Sequence, residues 1–115
     1  MNLKHFQLSE FNCTHTGRNE MKLEFLQKLD QLRDICGFPF IVTSGYRDPT
    51  HPIEARKDEP GTHAQGIAAD IRVRSGAQAY TLMKHAFALG FTGIALGNGF
   101  VHLDTRQTTA VTWRY

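Results

Sequence analysis

The chain has 115 residues, a length that suits one domain with one modest core, and we expect a single domain over residues 1–115. Hydrophobic residues make up 41% of the chain and charged residues 21%, a globular mixture that argues against disorder. The net charge of +2 is small, and no run of Lys and Arg is present. The composition therefore predicts no nucleic-acid partner.

The sequence also predicts no membrane insertion, because no apolar run approaches the roughly 20 residues that a spanning helix needs. Residues 1–5 lack the apolar core of a signal peptide, so we expect synthesis in the cytoplasm without one. We expect a monomer. Cys13 and Cys36 are too few for a disulfide framework and match no zinc ribbon. We expect Cys36 to be a buried thiol, and a second metal site at Cys13 and His15 is a weaker alternative.

The first half of the chain predicts one helix and one strand. Apolar side chains recur at helical spacing over residues 20–36, with Asn19 as the expected N-cap and Gly37 as the stop. The apolar positions are Met21, Phe25, Leu26, Leu29, Leu32 and Ile35. Residues 40–44 predict a short buried strand. Residues 45–62 are rich in Pro, Gly and charge and predict a long loop, which in a compact domain is often functional.

The second half predicts more strands than helices. Residues 66–73 predict a strand, and Ser75 with Gln78 forms a capping-box pattern for a helix over residues 76–89. We expect the apolar side chains of that helix to face the core; they are Tyr80, Met83 and Phe87. A hairpin joins residues 91–96 to residues 100–104 through Gly97, Asn98 and Gly99, and the alternation from Val111 to Arg114 predicts a final strand. Two helices against a mostly antiparallel sheet predict an α+β fold with the helices packed on one face.

His63, Asp70 and His102 are the candidate metal ligands. Two imidazoles and one carboxylate hold zinc and leave a fourth position for water or substrate, as in catalytic zinc sites. The same donor set also suits iron or manganese. Because alternate side chains of a strand share a face, His102 and Asp104 point to the side opposite Val101. Each strand therefore separates a core face from a face that carries His and Asp.

Three blocks of the chain resemble the zinc D-alanyl-D-alanine carboxypeptidases, a group of cell-wall peptidases that includes phage endolysins. The blocks are residues 44–47 (Ser-Gly-Tyr-Arg), residues 62–70 (Thr-His to Ala-Ala-Asp) and residues 101–104 (Val-His-Leu-Asp). Residues 6–11 and 19–21 also resemble small single-domain members. The resemblance runs in order through nearly the whole chain. It implies the fold of that group, also found in hedgehog-like domains.

The resemblance implies one Zn²⁺ bound by the two histidines and the aspartate, and it implies that Arg47 lines the substrate cleft. A guanidinium there would pair with a peptide carboxylate or stabilise an oxyanion, although a loop-anchoring ion pair is the alternative. Ser44 and Tyr46 are candidates for hydrogen bonds to substrate, with a structural role as the stronger expectation for both.

The general base is where this chain departs from better-known members, many of which carry an acidic residue or a histidine just before the last zinc histidine. Here Asn98, Gly99 and Phe100 occupy those positions, and none is a base. Asp104 is the best substitute as base, and it serves equally well as a partner that orients a histidine ligand. Other candidates are His51, Glu54, Asp58 and Glu59 on the long loop.

Together these features predict a zinc metallopeptidase that hydrolyses peptidoglycan stem peptides, most readily as a D-alanyl-D-alanine carboxypeptidase. We expect a phage or prophage lysis component that reaches the cell wall or periplasm after release from the cytoplasm. One alternative is an endopeptidase that cuts between L-alanine and D-glutamate. The other is a non-catalytic zinc-binding interaction module that has lost its base.

Overall fold

The computed structural model describes residues 3–57 and 61–115. Two helices and five strands form the domain, with short 3-10 turns at Leu8–Phe11 and Glu54–Arg56. The helices are α1 (Leu23–Cys36) and α2 (Gly76–Leu89). The strands are β1 (Val42–Ser44), β2 (Ala68–Arg72), β3 (Gly93–Leu96), β4 (Phe100–Asp104) and β5 (Val111–Arg114).

The five strands form one sheet in the order β1-β2-β4-β3-β5. The pairs β1–β2, β2–β4 and β3–β4 are antiparallel, whereas β5 runs parallel to β3. The expected α+β fold with a mostly antiparallel sheet is confirmed. β4 lies at the centre of the sheet, with two strands on each side of it.

The two faces of the sheet differ in chemistry. One face is apolar, and both helices pack against it to form the core with residues from the N-terminal segment. The buried strand residues of this face are Ala69, Ile71, Ile94, Val101 and Leu103. The other face carries Asp70, His102 and Asp104, all of them buried. The alternation of side chains along β2 and β4 is therefore confirmed.

Helix α1 begins three residues later than the sequence predicts. The N-cap is Lys22, not Asn19, because residues 20–22 are held extended: the backbone N–H of Lys22 donates to the carbonyl of Gly66 at 2.9 Å. The side chain of Asn19 instead accepts from the N–H of Met21 and donates to the carbonyl of Leu8. A long-range contact with the loop before β2 thus overrides the local capping signal.

The predicted core face of α2 is wrong for two of its three residues. Tyr80 is 70% exposed and Phe87 is 55% exposed, whereas Met83 packs at the edge of the core. The buried positions are Ala79, Leu82 and Ala86. Small side chains let this helix lie close to its neighbours, and the aromatic rings therefore point outward.

Three of the strands are slightly shorter than the sequence predicts. β1 begins at Val42, β2 spans Ala68–Arg72 and β3 begins at Gly93, each inside the range that the sequence predicts. The cap of α2 is as predicted, since the hydroxyl of Ser75 accepts from the N–H of Gln78 at 3.1 Å. Neither helix is long and apolar enough to cross a membrane within the described ranges.

Candidate metal centre

The candidate ligands meet because three structural elements bring them to one end of a single row across the sheet. Asp70 on β2 lies directly opposite His102 on β4, and His63 lies in the turn just before β2. The whole row, read strand by strand in sheet order, is Ser44, Asp70, His102, Ala95 and Trp113. Residues paired in this way project their side chains on the same face.

The three ligand side chains converge as the sequence predicts. Oδ1 of Asp70 lies 3.0 Å from Nδ1 of His102 and 3.3 Å from Nε2 of His63. One potential ligand atom from each residue lies within 4.8 Å of the other two, and all three residues are buried. A single cation can therefore contact all three side chains.

His63 is aimed by its backbone surroundings. Its Nδ1 donates to the carbonyl of Gly45 at 2.8 Å, since a carbonyl only accepts, and this leaves the lone pair on Nε2. The turn that follows needs Gly66, whose φ of 77° is left-handed and where a Cβ would collide with the carbonyl of Glu20. The loop before β2 thus holds the imidazole of His63 in a fixed orientation.

Nε2 of His63 is the clearest sign that this cluster fits a metal. It is a buried polar atom that makes no hydrogen bond within the described residues, although it faces a carboxylate oxygen 3.3 Å away. A buried nitrogen without a partner carries a substantial free-energy cost, and a cation placed between the two atoms removes it. Two imidazole nitrogens and one carboxylate oxygen form the donor set of catalytic zinc, so these residues fit that metal.

Charges within the cluster are strongly coupled. Burial by itself would raise the pKa of the Asp70 carboxyl, but the hydrogen bond from Nδ1 of His102 and the electrostatic interaction with both imidazoles hold it well below its usual range. Burial likewise would lower the pKa of His102, and its bonds to Asp104 and Asp70 raise it instead. A metal would replace the proton on Nδ1 of His102, as metal binding generally does at a ligand histidine.

Asp104 lies behind the His102 ring, on the side away from Asp70. Its Oδ2 accepts from Nε2 of His102 at 2.7 Å, and its side chain has no exposed surface. Arg106 donates to the same carboxylate from its backbone N–H and from two guanidinium nitrogens, at 2.7–3.1 Å. Burial alone would raise the pKa of Asp104, but these bonds lower it. This placement favours the orienting role of Asp104 over the role of base.

Arg47 reaches the cluster from the loop after β1. Its Nη2 lies 3.7 Å from Oδ2 of Asp70, and its Nη1 lies 4.0 Å from Oε2 of Glu54. Both contacts are long, and the guanidinium lines the cavity in front of the ligands. Glu54 is itself engaged, because it accepts from Nζ of Lys57 at 2.8 Å and from the N–H of Gly61 at 2.9 Å. The Glu54 carboxylate therefore anchors the loop. The other two acidic candidates of this loop, Asp58 and Glu59, lie outside the described residues.

A cavity of about 640 Å³ opens in front of the three ligands. One wall comes from the long loop and includes Arg47, Ile53 and Lys57. Another part of the lining is aromatic, and the sequence motifs do not predict it. Its rings are Phe100, Trp113 and Tyr115. The only sequence signal for this wall is the alternation along β5, which places Trp113 and Tyr115 on one face.

Other candidates named from sequence lie away from the cavity lining. Ser44 and Tyr46 do not line it, and the Tyr46 hydroxyl donates to Oε2 of Glu20 at 2.9 Å, which supports a structural role. His51 lies within the long loop, where its Nδ1 accepts from the N–H of Ile53 at 3.2 Å. Burial and the charge of Arg47 lower the pKa of His51.

The cysteines show no second metal site. Sγ of Cys13 accepts from the N–H of Asp48 at 3.3 Å, and His15 is exposed. Cys36 is half-buried rather than buried, and both thiols are free. Within residues 3–57 and 61–115, the only group of three or more metal-binding side chains is the cluster of His63, Asp70 and His102.

A second cavity of about 640 Å³ adjoins the first. Gln65 and Gln107 line both, so the two cavities are neighbours that share part of their walls. The second cavity lies between the start of α1 and the loops around the ligands, with Lys22 and Lys28 among its lining residues.

The model of the family Peptidase M15 matches residues 4–104, which span both helices, β1 to β4 and all three candidate ligands. A comparison with curated proteins finds no match. The matched segment ends with Asp104, so it contains the carboxylate that orients His102 and stops before Arg106 and the aromatic residues of β5.

Proposed function

The chain belongs to the peptidase M15 family, and on that premise we propose that it is a zinc metallopeptidase acting on peptides of the bacterial cell wall. The observation that carries the proposal is Nε2 of His63, which is buried beside Asp70 and His102 and has no hydrogen-bond partner among residues 3–57 and 61–115. A purely structural cluster would satisfy this atom with a donor or acceptor.

His63, Asp70 and His102 would hold the zinc, and the cavity in front of them would admit the substrate. Zinc bound there would lower the pKa of a water molecule and polarise the scissile carbonyl. Asp104 accepts from Nε2 of His102 and would keep the proton on that nitrogen, so that Nδ1 would be the atom available to hold the metal. Arg47 places a positive charge at the edge of the cavity, where it would bind a carboxylate or stabilise the developing oxyanion.

We propose D-alanyl-D-alanine carboxypeptidase as the first candidate activity, in which the bond before a terminal D-alanine is cut. A carboxypeptidase must bind a free terminal carboxylate next to the scissile bond. Arg47 and Lys57 both line the cavity, and a carboxylate would pair with either. Burial of such a charge in a partly enclosed cavity strengthens the pairing.

An L-alanyl-D-glutamate endopeptidase is the second candidate, and the neighbouring second cavity favours it. An endopeptidase must accommodate peptide on both sides of the scissile bond. The second cavity, which shares Gln65 and Gln107 with the first as lining residues, offers additional space nearby. We further propose that the chain meets its substrate in the cell wall or periplasm, as a lysis component released from the cytoplasm.

Digestion of purified peptidoglycan tests the proposal. The zinc-loaded protein is incubated with the polymer at several pH values, with and without a chelator, and fragments are identified by mass spectrometry. Cleavage that the chelator abolishes is expected; free D-alanine identifies a carboxypeptidase, and a cut after L-alanine identifies the endopeptidase. The variant His63→Ala should lose both zinc and cleavage, while His85→Ala on α2 should keep both. Bound zinc without cleavage at any pH contradicts the proposal and supports a non-catalytic module.

A further inference from the structure

His102 is part of a closed ring of contacts that reaches beyond the ligands. Its Nε2 donates to Asp104, and Asp104 accepts from the guanidinium of Arg106. The Cζ atom of Arg106 lies 4.9 Å from the ring centroid of Trp113, a cation–π distance. The Trp113 ring in turn lies 5.0 Å from the ring of His102, centroid to centroid.

The sheet register produces this ring of contacts. Ala95 on β3 pairs with His102 on one side and with Trp113 on the other, so the three side chains share one face. Backbones two strands apart are separated by about 9–10 Å. The two rings nevertheless approach to 5.0 Å, and the fully buried methyl group of Ala95 lies between their strands. The indole therefore leans across Ala95 onto the imidazole.

The burial of the Asp104 carboxylate depends on contacts with Arg106 and on the space beside Gly93. A fully buried carboxylate is stable only when it is paired and hydrogen-bonded. Arg106 supplies that pairing through a two-nitrogen fork that lysine lacks. Gly93, opposite Asp104 on β3, provides the space, since a Cβ there would collide with the carboxylate.

We propose that Arg106 and Trp113 are positioning residues for the metal ligand His102. The indole packs against both the guanidinium and the imidazole and restricts how either can turn. Arg106 then fixes Asp104, and Asp104 fixes the tautomer and direction of His102. The inference rests on the proposed zinc site and adds two residues that neither belong to the metal cluster nor fall inside the segment matched by the family model.

The zinc dissociation constant tests the positioning role of Arg106 and Trp113 without an assay of peptide cleavage. Competition with a chromophoric chelator gives the zinc dissociation constant of Arg106→Gln and Arg106→Lys. Arg114→Gln is the matched control, because it removes the same charge from an exposed residue adjacent to Trp113. Loss of a partner that orients a ligand typically weakens metal binding by about 10- to 100-fold. We expect a loss of that size for Arg106→Gln, a smaller one for Arg106→Lys and none for Arg114→Gln.

Variants of Trp113 provide a second, independent measurement. Trp113→Leu should weaken zinc binding by about tenfold and alter the visible spectrum of the Co²⁺-substituted protein, while Trp113→Phe, which keeps a ring, should restore most of the affinity. Thermal unfolding of the metal-free variants checks their folding. Zinc affinities of Arg106→Gln and Trp113→Leu within threefold of the control would overturn the inference. A parent protein that binds no zinc would instead overturn the proposed function, so the two failures are distinguishable.

Discussion

His102 and Asp104 are joined by a 2.7 Å hydrogen bond through Nε2 of the imidazole, and the other ring nitrogen, Nδ1, faces Asp70 in the candidate metal cluster. Residues two apart on one strand project to the same face, so this bond forms between neighbours on β4. The carboxylate lies behind the ring and is enclosed by Arg106. A base must reach the water that attacks the substrate, and this position does not provide that access.

The variant Asp104→Asn separates the two roles proposed for this residue. If Asp104 orients His102, zinc affinity should fall by about 10- to 100-fold, and saturating zinc should restore turnover to within about tenfold of the parent. If Asp104 is the base, turnover at saturating zinc should remain lower by about 100-fold or more. Peptide cleavage measured across a zinc titration distinguishes these outcomes, with Asp34→Asn as an exposed control.

Gly93 is expected to be essential for stability, because a Cβ at this position would collide with the buried carboxylate of Asp104. Gly93→Ala should lower the free energy of unfolding by about 2 kcal/mol, the scale of overpacking in a tight interior. Gly76→Ala is the control: this residue begins α2, a Cβ added there would have no atom within 4 Å, and alanine should be neutral or mildly stabilising. Urea unfolding in the presence of a chelator measures both. Equal stability of the two variants would contradict the expectation.

The cluster of three candidate metal ligands could be predicted from sequence because its signals are local. His63 and Asp70 fall in one short block, and strand alternation places His102 on the polar face of β4. Arg106 and Trp113 could not be assigned a role in this way. Their contacts depend on β5 pairing in parallel with β3, and no periodicity along the chain specifies which strand an isolated segment will join.

Two errors in the helices have the same physical origin. Residues 20–22 look helical by periodicity, yet Lys22 pairs with Gly66, which is distant in sequence. In α2, the helical spacing of the apolar side chains predicts that Tyr80 and Phe87 face the core, whereas the helix packs against its neighbours through two alanines and a leucine. Tertiary contacts determine the structure in both cases, and these contacts cannot be inferred from the helix propensity of the local sequence.

The reactivity of Cys36 should depend steeply on pH. Burial disfavours the thiolate and raises the pKa of this thiol to about 11. Because the thiolate is the reactive form, alkylation by iodoacetamide should be slow at about pH 8 and rise about tenfold per pH unit up to about pH 10. Peptide mapping by mass spectrometry separates Cys36 from the buried Cys13, and the urea-unfolded chain is the control. Equal rates in the folded and unfolded chain at the lower pH would contradict the prediction.

Ala95 should control the position of the only tryptophan in the chain, and therefore the fluorescence of the protein. Trp113 contacts His102 by leaning across this residue, so Ala95→Leu should push the indole away from the imidazole and toward solvent. We expect a red-shifted emission maximum and weaker quenching when Cu²⁺ or Co²⁺ occupies the site. Ala77→Leu, an exposed position on α2, is the control for added hydrophobic volume. Emission and quenching that match the parent in Ala95→Leu would show that the methyl group does not set the contact between Trp113 and His102.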